Sequence, residues 1–479
     1  MHGRIFTPKG QNRRYSATLC RAARRAPAVW LALCLSLAGV VPARADSPQA
    51  SPAEPTGAAP RVEPAALPAL PPVRPLPPAA PGVRTTAEAT IGAVGDVLMH
   101  AAVKETAAAH GGDYGFLWAP VADLLRSNDL TFANLETPVA PRTGTGARSF
   151  VFNAPPAAVR ALGAAGVKLV SVANNHIFDQ GRDGFLETVA ELDRLGMPFV
   201  GAGPAPHEAG PRLVELNGLR VAFLGFAQFF NQSGNDCPAR REGPCVKASL
   251  LDPERAVAAV REAAARSDAV VVSIHWGVEY TGQPREAEVA LAHRLADAGA
   301  LVVLGHHPHV LQPLELYRRE DGRVAAIAYS LGNFVSNQSR NFVPGVTPDA
   351  VAAPREGALL RVRLARRDYG RGVELVELAG VDYVPLWTEN DTVELDRKRH
   401  PEARPTIRVV ALDRALAEVR AELARFPEPL PAPERPAWVK LRRREAAYAA
   451  RRAEILATLG EELAREVAPP PPESAAATR

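Results

Sequence analysis

The sequence has little cysteine, no apolar run long enough to cross a bilayer with ease, and no surplus of positive charge beyond its first 45 residues. The whole chain has 479 residues, with 56 lysines and arginines and 52 aspartates and glutamates. Eight of the basic residues lie in residues 1–45, which leaves 48 basic against 52 acidic residues, or −4 with histidine neutral. This balance removes any electrostatic argument for nucleic-acid binding.

Residues 1–45 have the composition of an export signal. The segment starts with arginines and lysines and has no carboxylate, AVWLALCLSLAGVV (28–41) is apolar, and Ala43-Arg44-Ala45 fits a small-x-small cleavage site. Because the apolar segment is short for a membrane span, a retained N-terminal anchor is the lesser alternative. Arg13-Arg14 leaves the general and the twin-arginine export routes both open. We therefore expect the protein in the periplasm or at the cell surface.

Of the four cysteines, Cys20 and Cys34 belong to this export segment. Cys237 and Cys245 remain, in CPARREGPC, where proline and glycine turn the chain. In an oxidising compartment two nearby cysteines most often form a disulfide, and closing so short a loop would contribute roughly 2–3 kcal/mol. A free pair of thiols or a soft-metal site is the alternative.

Proline is abundant, with 45 residues, but it is clumped. Residues 46–87 are rich in proline and alanine, a composition that favours extended, solvated chain, and we predict a disordered linker there. Residues 468–479 (APPPPESAAATR) predict a disordered tail. We find no internal repeats.

Residues 88–388 alternate apolar runs with amphipathic helical stretches, which predicts an α/β domain with helices covering its sheets. Helices are expected over 183–196, 252–268 and 285–299, and exposed antiparallel strands over 358–368 and 373–387. Seven runs have the composition of buried strands: TIGAVGD, LTFANLE, VKLVSVANNH, LRVAFLGF, AVVVSIHWG, ALVVLGHH and VAAIAYSLGN.

Residues 389–467 are charged and predict a helical C-terminal extension, because 406–426 and 437–467 both have helical periodicity. We expect these helices to pack on the main domain or on each other. A partner-binding or membrane-surface helix is the alternative.

Polar residues follow the predicted strands at the point where each strand ends. In open α/β sheets, ligands gather at the carboxyl ends of the strands, so these side chains are expected to meet in one crevice. One histidine at a strand end is more often a hydrogen-bonded core residue than a ligand, and it is the joint pattern that favours a site. Six of the ten histidines beyond residue 45 follow this pattern: His100, His176, His275, His306, His307 and His309.

Carboxylates, imidazoles and amide oxygens, without cysteine, suit Mn, Fe or Zn. Two divalent ions would polarise a phosphoryl or acyl oxygen and generate hydroxide near neutral pH. Asp96 or Glu136 would bridge them.

Six motifs in a fixed order carry a family resemblance over roughly residues 90–337. They are GDVLMH, ANLETPV, ANNHIFDQG, HWGVEY, GHHPHVLQPLE and YSLGNF. This order resembles the CapA family of capsule or poly-γ-glutamate synthesis proteins, and that family resembles the calcineurin-like metallophosphoesterases. The resemblance implies a sandwich of two β-sheets flanked by helices.

The resemblance also implies roles for individual residues. It implies that Asp96 and Glu136 take the places of the first-strand and bridging aspartates. Asn175 and His176 match an Asn-His pair, a metal ligand and a candidate general acid. The isolated histidine ligand corresponds to His275, and the terminal His-x-His to His307 and His309, with His306 at a variable position that is not a ligand.

Two departures accompany this likeness. The phosphoesterases place a histidine two residues after the first aspartate, where this chain has Leu98, with His100 two residues further on. The Gly-Asp that carries their bridging aspartate corresponds here to Asn134-Leu135-Glu136.

Three functions are compatible with the sequence. The first is an exported metal-dependent hydrolase or transferase that acts on a phosphoester, amide or isopeptide bond of a capsule or other envelope polymer. In that case Glu279, Tyr280 and Asn333 are candidates for substrate contact. The second is a non-catalytic scaffold that assembles or exports an anionic polymer, with partners bound through the C-terminal helices. The third is a structural module whose histidines are hydrogen-bonded.

Overall fold

Two β-sheets packed face to face form the centre of the computed structural model, which describes residues 70, 72–145, 150–205, 207–208, 210–237, 245–391, 404 and 406–468. The export signal predicted for 1–45, most of the linker predicted for 46–87 and the tail beyond residue 468 lie outside these residues. Within the described part of the chain, no helix has the length and apolar character that crossing a membrane requires.

The described residues form sixteen strands and eight α-helices. The strands are β1 (Arg84–Val97), β2 (Leu130–Leu135), β3 (Val167–Ser171), β4 (Phe199–Val200), β5 (Ala202–Pro204), β6 (Arg212–Leu216), β7 (Leu219–Ala227), β8 (Val246–Ala248), β9 (Ala269–His275), β10 (Val302–His306), β11 (Leu314–Arg318), β12 (Val324–Ala328), β13 (Asn333–Val335), β14 (Glu356–Asp368), β15 (Glu374–Asn390) and β16 (Ile407–Ala411). The helices are α1 (Ala101–Ala109), α2 (Ala122–Arg126), α3 (Pro156–Ala165), α4 (Gly181–Arg194), α5 (Pro253–Ala264), α6 (Glu286–Ala298), α7 (Leu412–Leu423) and α8 (Arg435–Leu459).

The larger sheet has the strand order β16-β15-β14-β1-β2-β3-β4, with β13 also paired to β1, and the smaller one has the order β11-β12-β10-β9-β7-β6. β1, β2 and β3 run parallel, as do β7, β9, β10 and β12. β5 and β8 form a separate two-stranded sheet. The predicted two-sheet sandwich flanked by helices is confirmed.

Side chains alternate between the two faces of each strand, and both faces are buried. Phe132 and Val271 point between the sheets and share one core cluster. The next residues along their strands, Ala133 and Val272, belong to outer clusters beneath the helices. Burial on both faces explains why these strands read as continuous apolar runs in the sequence.

The helix over 253–264 begins as predicted, because the Asp252 side chain accepts a hydrogen bond from the backbone N–H of Arg255 at 2.9 Å. Cys237 and Cys245 are joined by a disulfide, with their Cα atoms 5.8 Å apart.

Three expectations need correction. β14 and β15 are antiparallel as predicted, but most of their residues are buried. The predicted linker ends before residue 87, because β1 begins at Arg84 and the side chains of Val73 and Leu76 pack against the core. The extension predicted as helical over 389–467 begins inside β15 and contributes the strand β16, which pairs with β15 and places Val410 opposite Trp387.

A buried carboxylate anchors α8 to the larger sheet. Glu389 of β15 accepts hydrogen bonds from Arg444, Arg408 and the Tyr448 hydroxyl. Burial alone would raise the pKa of Glu389, but the charges of Arg444 and Arg408 outweigh it and hold the pKa below its ordinary value of 4.5. The ionised form of Glu389 therefore stabilises the folded state.

We expect Glu389→Gln to lower the free energy of unfolding at pH 7 by about 1.5–3 kcal/mol, because charged hydrogen bonds are lost. The folded-state pKa is depressed, so this contribution is present above the unfolded-state pKa and is lost as the pH falls through the folded-state pKa. Denaturant titrations at pH 7 and in steps below pH 4.5 measure it. Glu377→Gln, at a partly exposed site on the same strand, is the control. If the difference in unfolding free energy between the wild type and Glu389→Gln were as large at low pH as at pH 7, the assignment would be contradicted.

Candidate metal centre

The carboxyl ends of parallel strands from both sheets meet at one edge of the sandwich. In the larger sheet Asp96 of β1 lies opposite Asn134 of β2, and in the smaller sheet His275 of β9 lies opposite His306 of β10. The Nδ1 atom of His306 is 3.3 Å from Oδ1 of Asp96, so the two sheets touch here through polar side chains. The crevice predicted from the strand ends is therefore present.

Two glycines allow this close meeting of backbones. A Cβ atom on Gly95, just before Asp96, would lie 2.0 Å from the carbonyl oxygen of Gly332. A Cβ atom on Gly305, just before His306, would lie 1.8 Å from the carbonyl oxygen of Tyr329. Only glycine fits at these two positions, which explains the Gly-Asp and Gly-His pairs of the sequence.

Asp96 is fully buried and surrounded by donors. Its Oδ1 accepts a hydrogen bond from Nδ2 of Asn134 at 2.8 Å, and its Oδ2 accepts one from the backbone N–H of His307 at 3.2 Å. Nδ1 of His309 is 3.2 Å from the same Oδ2. Burial alone would raise the pKa of Asp96, but His306 and His309 outweigh it and hold the pKa well below its usual range. Asp96 is therefore a carboxylate.

Glu136 is also fully buried, yet neither of its side-chain oxygens has a hydrogen-bond partner among the described residues. The Nε2 atoms of His275, His309 and His176 lie 3.6, 3.8 and 4.0 Å from its Oε1. Burial raises the pKa of Glu136 well above its ordinary value, and the Asp96 carboxylate raises it further.

A buried carboxylate without a partner costs the full desolvation of its charge, so it calls for a compensating group. A divalent cation among these ligand atoms supplies one, and the residues therefore fit a metal.

Three overlapping groups of side chains place their ligand atoms within 4.8 Å of one another. They are Glu136 with His275 and His307, Asp96 with Glu136 and His309, and Glu279 with His307 and His309. Asn175, a predicted ligand, directs its Oδ1 to Nε2 of His275 at 2.9 Å. The structure thus brings all six predicted metal ligands together and adds Glu279, which the sequence predicted only as a substrate contact.

Two of the imidazoles, those of His275 and His307, favour the neutral form that metal ligation requires. Burial, with the neighbouring His307, lowers the pKa of His275 well below its ordinary value. Burial and the nearby His309 lower the pKa of His307 to about 4. His307 and His309 also have φ angles of +98° and +58°. Residues other than glycine rarely adopt such backbone conformations, which recur at functional sites.

His176, the predicted proton donor, is oriented by a carboxylate. Its Nδ1 lies 2.8 Å from Oδ2 of Asp179, and that oxygen also accepts the backbone N–H of Phe152 at 2.7 Å. The Phe152 ring packs 4.5 Å from the His176 ring. With Nδ1 engaged, Nε2 faces Glu136 and the metal-ligand groups.

The remaining candidates surround His309. Oδ1 of Asn333 is 3.1 Å from Nδ1 of His309, Oε1 of Glu279 is 3.9 Å from its Nε2, and the Tyr280 ring is 6.0 Å from its ring.

The sequence placed Asn134 and Asp179 among the polar residues at strand ends but gave neither of them a specific role. Asn134 connects Asp96 to His275, since its Nδ2 also lies 3.2 Å from Nδ1 of His275. The strand-end pattern includes Asn134, and Asp179 follows His176 by one turn. His306 contacts Asp96 but belongs to none of the ligand groups found among the described residues. His100 also lies outside these groups, and its Nδ1 accepts a hydrogen bond from the backbone N–H of Asn337 at 3.3 Å.

Comparison with known proteins gives matches over this same part of the chain. The family "Bacterial capsule synthesis protein PGA_cap" matches residues 90–338. The "PGA biosynthesis protein CapA" of Bacillus subtilis (strain 168) is 32% identical over 297 residues, which are 61% of this chain and 72% of that protein. The "Capsule biosynthesis protein CapA" of Bacillus anthracis is 33% identical over 265 residues, covering 53% of this chain and 61% of that protein.

We expect Glu136→Gln to weaken binding of Mn²⁺ or Zn²⁺ by about 100-fold or more, because even residues that only support a ligand change metal affinity by about 10–100-fold. Calorimetric titration of the metal-free full chain with each metal measures this affinity. Without metal, the variant should be at least as stable as the wild type, because burial disfavours the ionised form of Glu136 and glutamine has no ionised form.

Glu315→Gln is the matched control. Glu315 is a buried glutamate that contacts His293 and Tyr329 outside the centre. The assignment of Glu136 is wrong if its glutamine variant binds metal as tightly as the Glu315 variant does.

Proposed function

Because the chain belongs to the bacterial capsule synthesis protein family, we propose that it is a metal-dependent enzyme of capsule or envelope polymer synthesis. Membership confirms the resemblance of the six motifs. The proposed reaction is hydrolysis or transfer at a phosphoester, amide or isopeptide bond of an anionic polymer such as poly-γ-glutamate. One observation carries the proposal, the buried carboxylate of Glu136, which faces three imidazoles and has no hydrogen-bond partner among the described residues.

Asp96, Glu136, Asn175, His275, His307 and His309 would hold one or two divalent ions, of Mn, Fe or Zn, with Glu279 beside them. Bound ions would supply Lewis acidity toward a phosphoryl or acyl oxygen and a nucleophile from water near neutral pH. The protein itself contributes the orientation of the ligands. Asn134 and the backbone N–H of His307 fix both oxygens of Asp96.

His176 would transfer the proton. A proton on its Nε2 can pass to the leaving oxygen or nitrogen of the substrate, and Asp179 holds Nδ1 so that Nε2 points toward the centre. Phe152 covers one side of the imidazole and limits access of water to it.

A second function, polymer binding without catalysis in capsule assembly or export, is favoured by one observation. Leu98, where the phosphoesterases have a histidine, is buried, and His100 lies outside the ligand groups of the described residues. Such a scaffold would bind metal and polymer with no turnover.

We expect purified wild-type protein to contain a divalent metal and to cleave at least one substrate in a screen of phosphoesters and γ-glutamyl amides. Asp96→Asn should lose both the metal and the activity, because Asp96 belongs to one ligand group and contacts a member of each of the other two, the backbone N–H of His307 and Nδ1 of His309. A wild-type protein that binds no divalent metal contradicts the proposal, and one that binds metal and polymer without any turnover favours the scaffold.

His176→Ala should lower kcat by about 100- to 10,000-fold for substrates with a poor leaving group, since proton donation matters most there. The loss should be smaller for p-nitrophenyl substrates, whose leaving group needs no proton, and metal affinity should be unchanged. His110→Ala, at a histidine outside the centre, is the control. Equal losses with both kinds of leaving group would assign another role to His176.

We further propose that residues 1–45 direct export to the periplasm or cell surface. The basic start, the apolar segment 28–41 and the Ala43-Arg44-Ala45 site support this, and the Cys237–Cys245 disulfide suits an oxidising compartment. Expression in a Gram-negative host, fractionation and sequencing of the mature N-terminus should place a shortened chain beyond the inner membrane. Full-length chain confined to the cytoplasm would refute export.

A further inference from the structure

A cleft of about 500 Å³ opens beside the metal centre. One wall is Tyr280, and the other is the loop 337–341 together with part of the short helical segment Asp349–Arg355. The polar residues that line it are Tyr280, Asn337, Gln338, Ser339, Arg340 and Asn341. This loop follows the last of the six motifs, and its side chains have no part in the centre described above.

A chain of hydrogen bonds connects the cleft to the centre. Asn333, whose Oδ1 is 3.1 Å from His309, donates from Nδ2 to Oε1 of Gln338 at 2.8 Å. Gln338 in turn donates from Nε2 to the hydroxyl of Tyr280 at 3.1 Å. The Tyr280 hydroxyl accepts this bond and keeps its own hydrogen for a ligand.

The loop is held in place from behind by a buried arginine. Arg355 donates to the backbone carbonyls of Ser339 and Phe342 at 3.0 and 3.3 Å, and its guanidinium lies 5.6 Å and 5.8 Å from the ring centres of Phe342 and Trp387. Ser339 and Tyr280, on the two walls, have φ angles of +54° and +61°. Such conformations persist only where the surroundings enforce them, so both walls are formed before a ligand binds.

The chemistry of the lining selects the ligand. No residue that lines the cleft, in the described part of the chain, has a carboxylate, and Arg340 is exposed without an ion-pair or hydrogen-bond partner among the described residues. A guanidinium and a phenol bind a carboxylate, while the side-chain amides of Asn337 and Asn341 match amide groups. A polyphosphate or phosphodiester chain would need more cations and offers no amide.

We propose that this cleft is a binding subsite for an acidic polyamide, in which Arg340 and Tyr280 hold the side carboxylate of the unit next to the bond at the metal centre. The inference rests on the proposed function, since it assigns the residues that would recognise the anionic polymer named there. It assigns Arg340 to recognition of the substrate and leaves the chemical step to the centre.

The test is binding of a fluorescently labelled oligo-γ-glutamate to the full chain, measured by anisotropy with and without metal. We expect Arg340→Gln to weaken binding about five- to ten-fold, as for loss of one partly solvated charged hydrogen bond. An oligomer with its carboxylates amidated should bind weakly to the wild type and show no dependence on Arg340. Arg371→Gln, at an exposed arginine in the turn between β14 and β15, is the matched control and should have no effect.

The outcomes separate this inference from the proposed function. If oligo-γ-glutamate binding depends on Arg340 in the metal-free protein, and the metal-bound protein shows no turnover, the subsite is supported and the proposed enzymatic function is rejected. If Arg340→Gln turns over substrate with an unchanged KM, the subsite is rejected and the proposed enzymatic function stands. Tighter binding of polyphosphate than of oligo-γ-glutamate, with equal loss in Arg340→Gln, overturns the assignment to a carboxylate ligand.

Discussion

Two buried carboxylates at the meeting of the two sheets impose the main constraint on this structure. Asp96 is compensated by the protein itself, through Asn134, the backbone of His307 and the imidazole of His309. Glu136 has no such compensation among the described residues, although imidazoles surround it. Burial without compensation disfavours the ionised form of Glu136 and raises its pKa, whereas a bound cation would favour the ionised form. The fold therefore forms most of a site on its own and leaves one charge to be balanced by what it binds.

The sandwich tolerates this arrangement because its core is large and lies directly below the site. The apolar cluster between the sheets continues up to the residues before the strand ends, such as Leu304 ahead of His306. Close packing lets the backbone at Gly95 and Gly305 approach other strands, and it holds His307 and His309 in left-handed conformations. The candidate metal ligands are thus presented on rigid strand ends, where small displacements of their atoms are resisted by the core.

The sequence predicts the buried strands and the ligand set for the same physical reason. Strands buried on both faces are apolar along their length, so the polar residues that follow them stand out, as Asp96 and His307 do. Tertiary contacts are invisible to this reasoning, which is why the contact of His306 with Asp96 and the position of Glu279 beside His309 were missed. The strand β16 was missed as well, because it passes into α7 without a turn and its apolar residues also fit a helical period.

The cleft beside the centre depends on a part of the chain outside the family match, which ends at residue 338. Arg355, which fixes the loop 337–341, lies against Trp387 of β15, and the adjacent Glu356 pairs with Arg451 of α8 at 3.1 Å. The C-terminal helix therefore supports the wall that lines the cleft, although it contributes no residue to the metal centre. A substitution in the segment behind this wall would therefore change the shape of the cleft without altering the candidate metal ligands at the strand ends.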